Sequence, residues 1–187
     1  MLRLKRHGGF TLVELMIVVV VLAVLLAIAV PSYRGWIVNA QIRTKAESVL
    51  SGLQIARVEA LKRNTAVFFD MASDTSWSVG CVAPIADNDG DGVPDCPSVI
   101  QSKTAAEGGG AVTVAIAPAA SSRVTYNGMG QVRPLNADNS VPVTEINFDS
   151  GALVANQSRE LRIVVAGGGL ARMCDPTVTT AGDPRKC

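Results

Sequence analysis

Histidine is almost absent from this chain: His7 is the only one in 187 residues, and it precedes the first long apolar run. Beyond that point the side chain that most often acts as general base is missing, and no nucleophile elbow or carboxylate pair stands in a recognisable context. The expectation is a protein that is not an enzyme. The four cysteines contain no Cys-x-x-Cys spacing, and with no histidine to complete a ligand set the pattern argues against structural zinc. Helix breakers are also scarce early on, because residues 10–63 hold only Pro31, Gly35 and Gly52. One long helix is the economical reading of that stretch, and at 1.5 Å per residue it would run roughly 80 Å. Finally, no Ala-x-Ala-like site closes the apolar run. Pro31-Ser32-Tyr33-Arg34-Gly35-Trp36 follows it instead, which excludes an ordinary secretory signal whose core is discarded.

What is present begins with charge. Arg3, Lys5 and Arg6 precede the apolar residues 15–30, and basic residues flanking a membrane segment stay on the cytoplasmic side. The chain is therefore expected to lie N-terminus in, remainder out. A cut after Gly8-Gly9 would remove those charges, keep the helix and leave Phe10 at the new N-terminus. Glu14 is the anomaly, since a carboxylate near the edge of a bilayer core costs about 2–3 kcal/mol and such residues have partners. One role is to favour the positive end of the helix dipole. The other is to pair with the α-amino group of Phe10, from its own or a neighbouring chain.

The segment Gly8-Gly9-Phe10-Thr11-Leu12-Val13-Glu14-Leu15 resembles the leader and first mature residues of type IV pilins and type II secretion pseudopilins. The resemblance implies cleavage between Gly9 and Phe10 by a prepilin peptidase, N-methylation of Phe10, and neutralisation of that amine by Glu14 of an adjacent subunit. It further implies a cleaved leader at 1–9, a transmembrane and assembly half at 10–36, and a periplasmic globular domain at 37–187 that includes the second half of the helix. Loss of the leader changes the charge. Three of the seventeen basic residues lie within it, leaving fourteen against sixteen acidic ones and a net charge of −2.

A helix of that length exceeds a bilayer core of about 30 Å, so its second half must stand outside. There Ile42, Ala46, Val49, Leu53, Ala56 and Ala60 recur at alternating spacings of four and three, with Leu50 and Leu61 widening the stripe. Coiled-coil pairing would need cleaner a and d positions. Packing against a sheet of the same chain is the expected outcome. Pro31 should bend the helix by removing a backbone hydrogen bond, and Gly35 extends the weak point.

After Arg63 the composition turns to β-branched and aromatic residues punctuated by Gly, Asp, Asn and Pro. Candidate strands are 66–69, 77–82, 112–116, 123–126, 146–148 and 161–165. Short strands after one long helix give an α+β fold, a long N-terminal helix packed on an antiparallel β-sheet domain. The glycine runs at 108–110 and 167–169 read as turns, because neither sits between a buried strand and a following helix as a phosphate loop would.

Three further segments narrow the family. Ala56-Arg57-Val58-Glu59-Ala60-Leu61-Lys62-Arg63-Asn64-Thr65-Ala66-Val67, Trp77-Ser78-Val79-Gly80-Cys81 and Thr125-Tyr126-Asn127-Gly128-Met129-Gly130 together resemble the GspH/FimT group of minor pilins and pseudopilins. The group implies a low-copy subunit of the pilus filament or its tip, seated in the bacterial inner membrane until assembly. Implied partners are other major and minor pilins, the peptidase and an inner-membrane assembly platform. The alternative machine is a type II secretion system, in which the same chain would be a minor pseudopilin of a periplasmic pseudopilus.

Cys81, Cys96, Cys174 and Cys187 all lie beyond the membrane helix, and an even count there suggests disulfides. Three connectivities are open, of which Cys81–Cys96 across a hairpin and Cys174–Cys187 closing the tail are favoured. Between the first pair, Asp87, Asp89 and Asp91 have the alternate spacing of a calcium loop, and Asp95 follows. The stretch resembles thrombospondin type 3 repeats and the start of an EF-hand, but the twelfth position is Ser98 where a bidentate Glu is needed. The other reading is a solvated hairpin tip. Some GspH/FimT relatives bind DNA through a Gly-Arg-x-Arg segment. Here only Arg172 of Gly169-Leu170-Ala171-Arg172 matches it, with Arg185 and Lys186 further along beside Asp175 and Asp183.

Overall fold

The computed structural model describes residues 11–72, 75–88, 90, 92, 94–105 and 112–187. Helix α1, Leu12–Arg63, is followed by eight strands: β1 Val67–Met71, β2 Trp77–Cys81, β3 Gln101–Lys103, β4 Thr113–Ala117, β5 Arg123–Tyr126, β6 Glu145–Asp149, β7 Leu161–Val165 and β8 Ala171–Cys174. The chain divides into two compact units, Met1–Ile37 and Val38–Cys187.

In the first unit the apolar side chains from Leu12 to Ile28 are exposed all round the helix, between 53% and 75%. A helix that is apolar on every face needs lipid or other helices to cover it. Among the described residues no single helix is long and apolar enough to cross a membrane, whereas Leu12–Ile28 and Tyr33–Arg63 taken together across a break meet that test by length and composition. The break brackets Pro31. The Pro31 side chain, on which the expected bend rests, lies outside the described residues.

In the second unit the helix stripe is buried as its spacing predicts. Ile42, Ala46, Val49, Leu53, Ala56 and Ala60 are all at 0–1% exposure. Leu50 is half-buried, but Leu61 stays 47% exposed, so the stripe is narrower than expected on that side. The strands form two antiparallel sheets, ordered β3-β2-β1-β5 and β4-β6-β7-β8. Both contribute to one core with the helix, Val67, Phe69, Val79, Val124 and Tyr126 from the first and Ile146, Phe148, Ile163 and Val165 from the second.

Small residues set the approach of helix and sheet. A Cβ at Gly52 would lie 2.7 Å from the Phe69 ring and 3.1 Å from Trp77. The missing side chain thus lets both rings reach the helix, where the Trp77 indole N–H donates to Ser48 Oγ at 3.1 Å. Lys45 is buried too, and its ammonium donates to Thr75 Oγ1 and to the Ala105 carbonyl at 2.8 and 2.7 Å. This lysine ties two loops to the helix, a role that nothing in its sequence spacing marks.

Six strands coincide with sequence-predicted segments. The two missed, β3 and β8, are edge strands, each paired on one side only, to β2 and to β7.

Candidate functional site

The first candidate site is the start of α1. Gly9 and Phe10, and the cut between them, lie outside the described residues. From Thr11 onward the local chemistry is visible. The Glu14 N–H donates to Thr11 Oγ1 at 3.2 Å and the Leu15 N–H to the Thr11 carbonyl at 3.2 Å, so Thr11 is the N-cap. Thr-x-x-Glu is the sequence form of a capping box, which satisfies amides that the first turn leaves unpaired. The sequence reading did not include this cap. Glu14 therefore stands in the first turn, where its charge suits the helix dipole, and its side chain is exposed. Among the described residues it has no ion-pair partner.

The second site is the far end of the same helix. The Thr65 N–H donates to Ala60 and the Asn64 N–H to Leu61, with Asn64 at φ 47°, which is a Schellman cap using Asn in the left-handed position. The segment Asn127-Gly128-Met129-Gly130 closes over it. A Cβ on Gly128 would lie 2.7 Å from Asn64 Oδ1, and one on Gly130 would lie 3.0 Å from Leu61 Cγ. Arg57 completes the clamp by donating from Nε to the Gly130 carbonyl at 3.1 Å. That same carbonyl sits 1.8 Å from where a Cβ on Gly169 would be, and Gly169 has φ +86°. Gly169 lies in the β7–β8 turn, closed by the Gly169 and Ala166 amides donating to Ala166 and Leu170. The Val132 N–H donates to Gly167, joining the two loops directly. The residues that carry the family resemblance thus lock the helix end to one hairpin of each sheet. Tyr126 lies below, its hydroxyl buried without a partner among the described residues, and burial pushes the phenol pKa up.

The acidic loop is pinched at its base. Ile85 and Cys96 exchange both backbone hydrogen bonds, and Cys81 is disulfide-bonded to Cys96. The loop's carboxylates serve its own backbone: Asp87 accepts from the Gly90 and Gly92 amides at 2.7 Å each, and Asp95 from Asn88. Gly90 and Gly92 both have positive φ. The Asp95 carbonyl accepts from the Arg63 guanidinium, which ties the loop to the helix end. Asp89 and Asp91 lie outside the described residues. Ser98 is not in the loop at all, because its carbonyl packs over Gly80 of β2, 1.9 Å from where a Cβ there would stand.

At the C-terminus Cys174 is bonded to Cys187, so the connectivity is the favoured one. Arg172, the one residue that matches the Gly-Arg-x-Arg pattern, lies on β8 opposite Val164. Tail closure brings it to Lys186 and Cys187, whose carbonyl oxygens accept from its guanidinium at 3.2 and 3.1 Å. Arg185 pairs with Asp183 at 2.7 Å. The Arg185 hydrogen bonds hold the Asp183 carboxyl down to about 2. Lys186 Nζ donates to the Thr179 carbonyl. Tail closure thus sets the Arg172 guanidinium against the backbone of the segment that carries Arg185 and Lys186, and each of the three cations is committed to the tail itself.

A capped apolar helix with a lone first-turn carboxylate, running into a disulfide-stapled antiparallel β domain, defines the pilin-like class of structural subunits. The family described as Type II transport protein GspH matches residues 45–169, and the Prokaryotic N-terminal methylation motif matches residues 4–30. The chain belongs to the GspH family and is a structural protein, not an enzyme. A fimbrial protein of Pseudomonas aeruginosa is 36% identical over 78 residues, 41% of this chain and 50% of that one. A fimbrial protein of Moraxella nonliquefaciens is 39% identical over 67 residues, 36% of this chain and 42% of that one. The chain spans about half the length of the curated relatives it matches. A crystal structure of the type IV minor pilin FimU of Pseudomonas aeruginosa aligns with TM-score 0.48 at 18% identity, over 76% of this chain and 94% of that one.

Proposed function

We propose that this chain is a minor pilin of a type IV pilus, held in the inner membrane by its apolar helix and then drawn into or onto the tip of the filament. The observation that carries the reading is the pairing of a helix segment exposed and apolar on every face, residues 12–28, with an exposed carboxylate at its start, Glu14, that has no ion-pair partner among the described residues. In lipid, and later in a bundle of like helices, the apolar side chains stay out of water. In the bundle, Glu14 meets the Phe10 amine of a neighbour released by a prepilin peptidase at Gly9, so polymerisation sets axial register through one ion pair. An assembly platform in the inner membrane would drive the transfer.

The test is a Glu14→Gln chain expressed with its natural filament partners. Because Gln keeps the size and removes the charge, the expected result is normal membrane insertion with at least tenfold less subunit in sheared filaments. Equal incorporation would sink the assembly role of Glu14. The equivalent minor pseudopilin role is the alternative, and deletion separates the two: loss of twitching or transformation marks a pilus, loss of an exported enzyme marks secretion.

DNA contact, as part of uptake, would fall on Arg172, Arg185 and Lys186. Their internal commitments predict a weak, salt-sensitive contact at most. A low-salt gel shift comparing the chain with the triple alanine variant reads it, and equal mobility removes DNA from the account. For the acidic loop, the carboxylate-to-amide bonds of Asp87 and Asp95 support a turn role. Saturable heat on calcium titration, abolished in Asp89→Ala, would replace that role with a metal site.

A further inference from the structure

Two aromatic side chains do not fit the β domain. Phe69, Trp77, Tyr126 and Phe148 are core residues, and Phe68 lies under the Arg123 guanidinium at 4.7 Å. Tyr33 and Trp36 are instead 61% and 66% exposed. They stack on one another, three residues apart on one helix face, with ring centroids 5.9 Å apart and planes at 24°. Neither the phenol nor the indole N–H has a hydrogen-bond partner among the described residues. Water is an unfavourable setting for two stacked rings of this size. A purely apolar one would strand their polar atoms.

Position names the setting that satisfies both. Measured along the helix path, helical rise places Tyr33 about 32 Å and Trp36 about 36 Å beyond Leu12, and the 40° bend between Ile28 and Tyr33 shortens the depth by only a few ångström. A bilayer has a hydrocarbon core of about 30 Å within a total of about 40–45 Å, so rings at that distance fall in the headgroup zone of the far leaflet. Amphipathic rings favour that zone, with the ring body against acyl chains and the polar tip in the wet layer. Arg34, also exposed, stands at the same level, within reach of lipid phosphate.

We propose that the Tyr33–Trp36 stack is an interfacial anchor whose partner is the headgroup boundary of a phospholipid bilayer. It fixes the depth of the helix, and hence the level of Glu14, before the subunit is drawn into a filament. The proposal rests on the membrane-held state put forward above, and its test separates the two.

The full chain is reconstituted in vesicles of phosphatidylglycerol and phosphatidylethanolamine carrying bromines either near the headgroups or near the chain ends. The Trp36 signal is the difference between the chain and its Trp36→Phe variant, which leaves Trp77 in place. Insertion is read independently from a Leu22→Trp substitution made in the Trp36→Phe background, with the signal of that background subtracted. The expected result is that Trp36 is quenched about twofold more by shallow than by deep bromines, while the indole introduced at position 22 shows the reverse order. A Tyr33→Ala/Trp36→Ala chain with an unchanged β-domain circular dichroism spectrum should then be released by alkaline carbonate severalfold more readily. If the position-22 reporter is quenched by deep bromines and Trp36 by neither set, the anchor is overturned while the membrane-held state stands. If the position-22 reporter is not quenched, that state fails and the anchor with it. Shielding of Trp36 only upon filament formation would assign the stack to neighbouring helices and overturn the lipid assignment.

Discussion

At the residue scale, two glycines without side chains let the loops that carry them cross backbone to backbone. Gly169 needs a positive φ and has the Gly130 carbonyl where its Cβ would be, so Gly169→Ala combines backbone strain with a clash against main chain. The expected loss is about 2–4 kcal/mol in urea unfolding. Gly167→Ala is the control within the same turn, because nothing lies within 4 Å of its added Cβ, and it should be nearly neutral. Equal effects would mean that the turn, not the crossing of the two loops, sets the cost. Sequence reading identifies 167–169 as a turn and 125–130 as a family marker. It cannot join them, since a glycine chosen for what it lets approach leaves no pattern of its own. Glu14 is legible for the opposite reason: a charge inside an apolar run is conspicuous without any structure.

At the scale of the element, α1 does two jobs with two residue patterns. Residues 12–28 are apolar on all faces, while 42–60 carry a narrow stripe that meets both sheets. Leu53 is the largest wholly buried leucine of that stripe, next to the Gly52 notch that admits Phe69 and Trp77. Leu53→Ala should cost about 3 kcal/mol, read as a lower denaturation midpoint of the domain, whereas Leu61→Ala, half in solvent, should cost about 1 kcal/mol or less. The stripe is readable because burial by a helix repeats every three to four residues. Most strands are readable because burial by a sheet alternates. Strands β3 and β8 are not, because Gln101-Ser102-Lys103 and Ala171-Arg172-Met173-Cys174 contain no β-branched or aromatic residue, so backbone pairing and not side-chain type defines the element.

For the whole molecule, the two disulfides close loops of similar size, with sequence separations of 15 and 13. Chain entropy alone gives each about 3 kcal/mol. Their surroundings differ. Cys81 and Cys96 are core residues at 2% and 0% exposure, while the tail closed by Cys174–Cys187 is largely exposed. Replacing Cys81 and Cys96 by Ser should therefore lower the midpoint by the full amount or more. Replacing Cys174 and Cys187 should chiefly raise hydrogen exchange across 175–187, because that segment can detach without opening the core. A shift of the same size in both would contradict this separation of tail from core.

Neither sulfur bridge spans from the helix to a sheet or from one sheet to the other. A subunit gripped by its helix and pulled through its β domain would thus transmit tension with no covalent shortcut. The force would be shared among the packed core and the polar ties of Lys45, Ser48 and Arg63, and at the helix end it would bear on the Asn64 cap, the Arg57 hydrogen bond and the glycine crossing that binds the two hairpin loops. Failure under stretch would begin there, by parting of the helix end from the sheets, while both bridges stayed intact and the slack released was limited to the intervening chain.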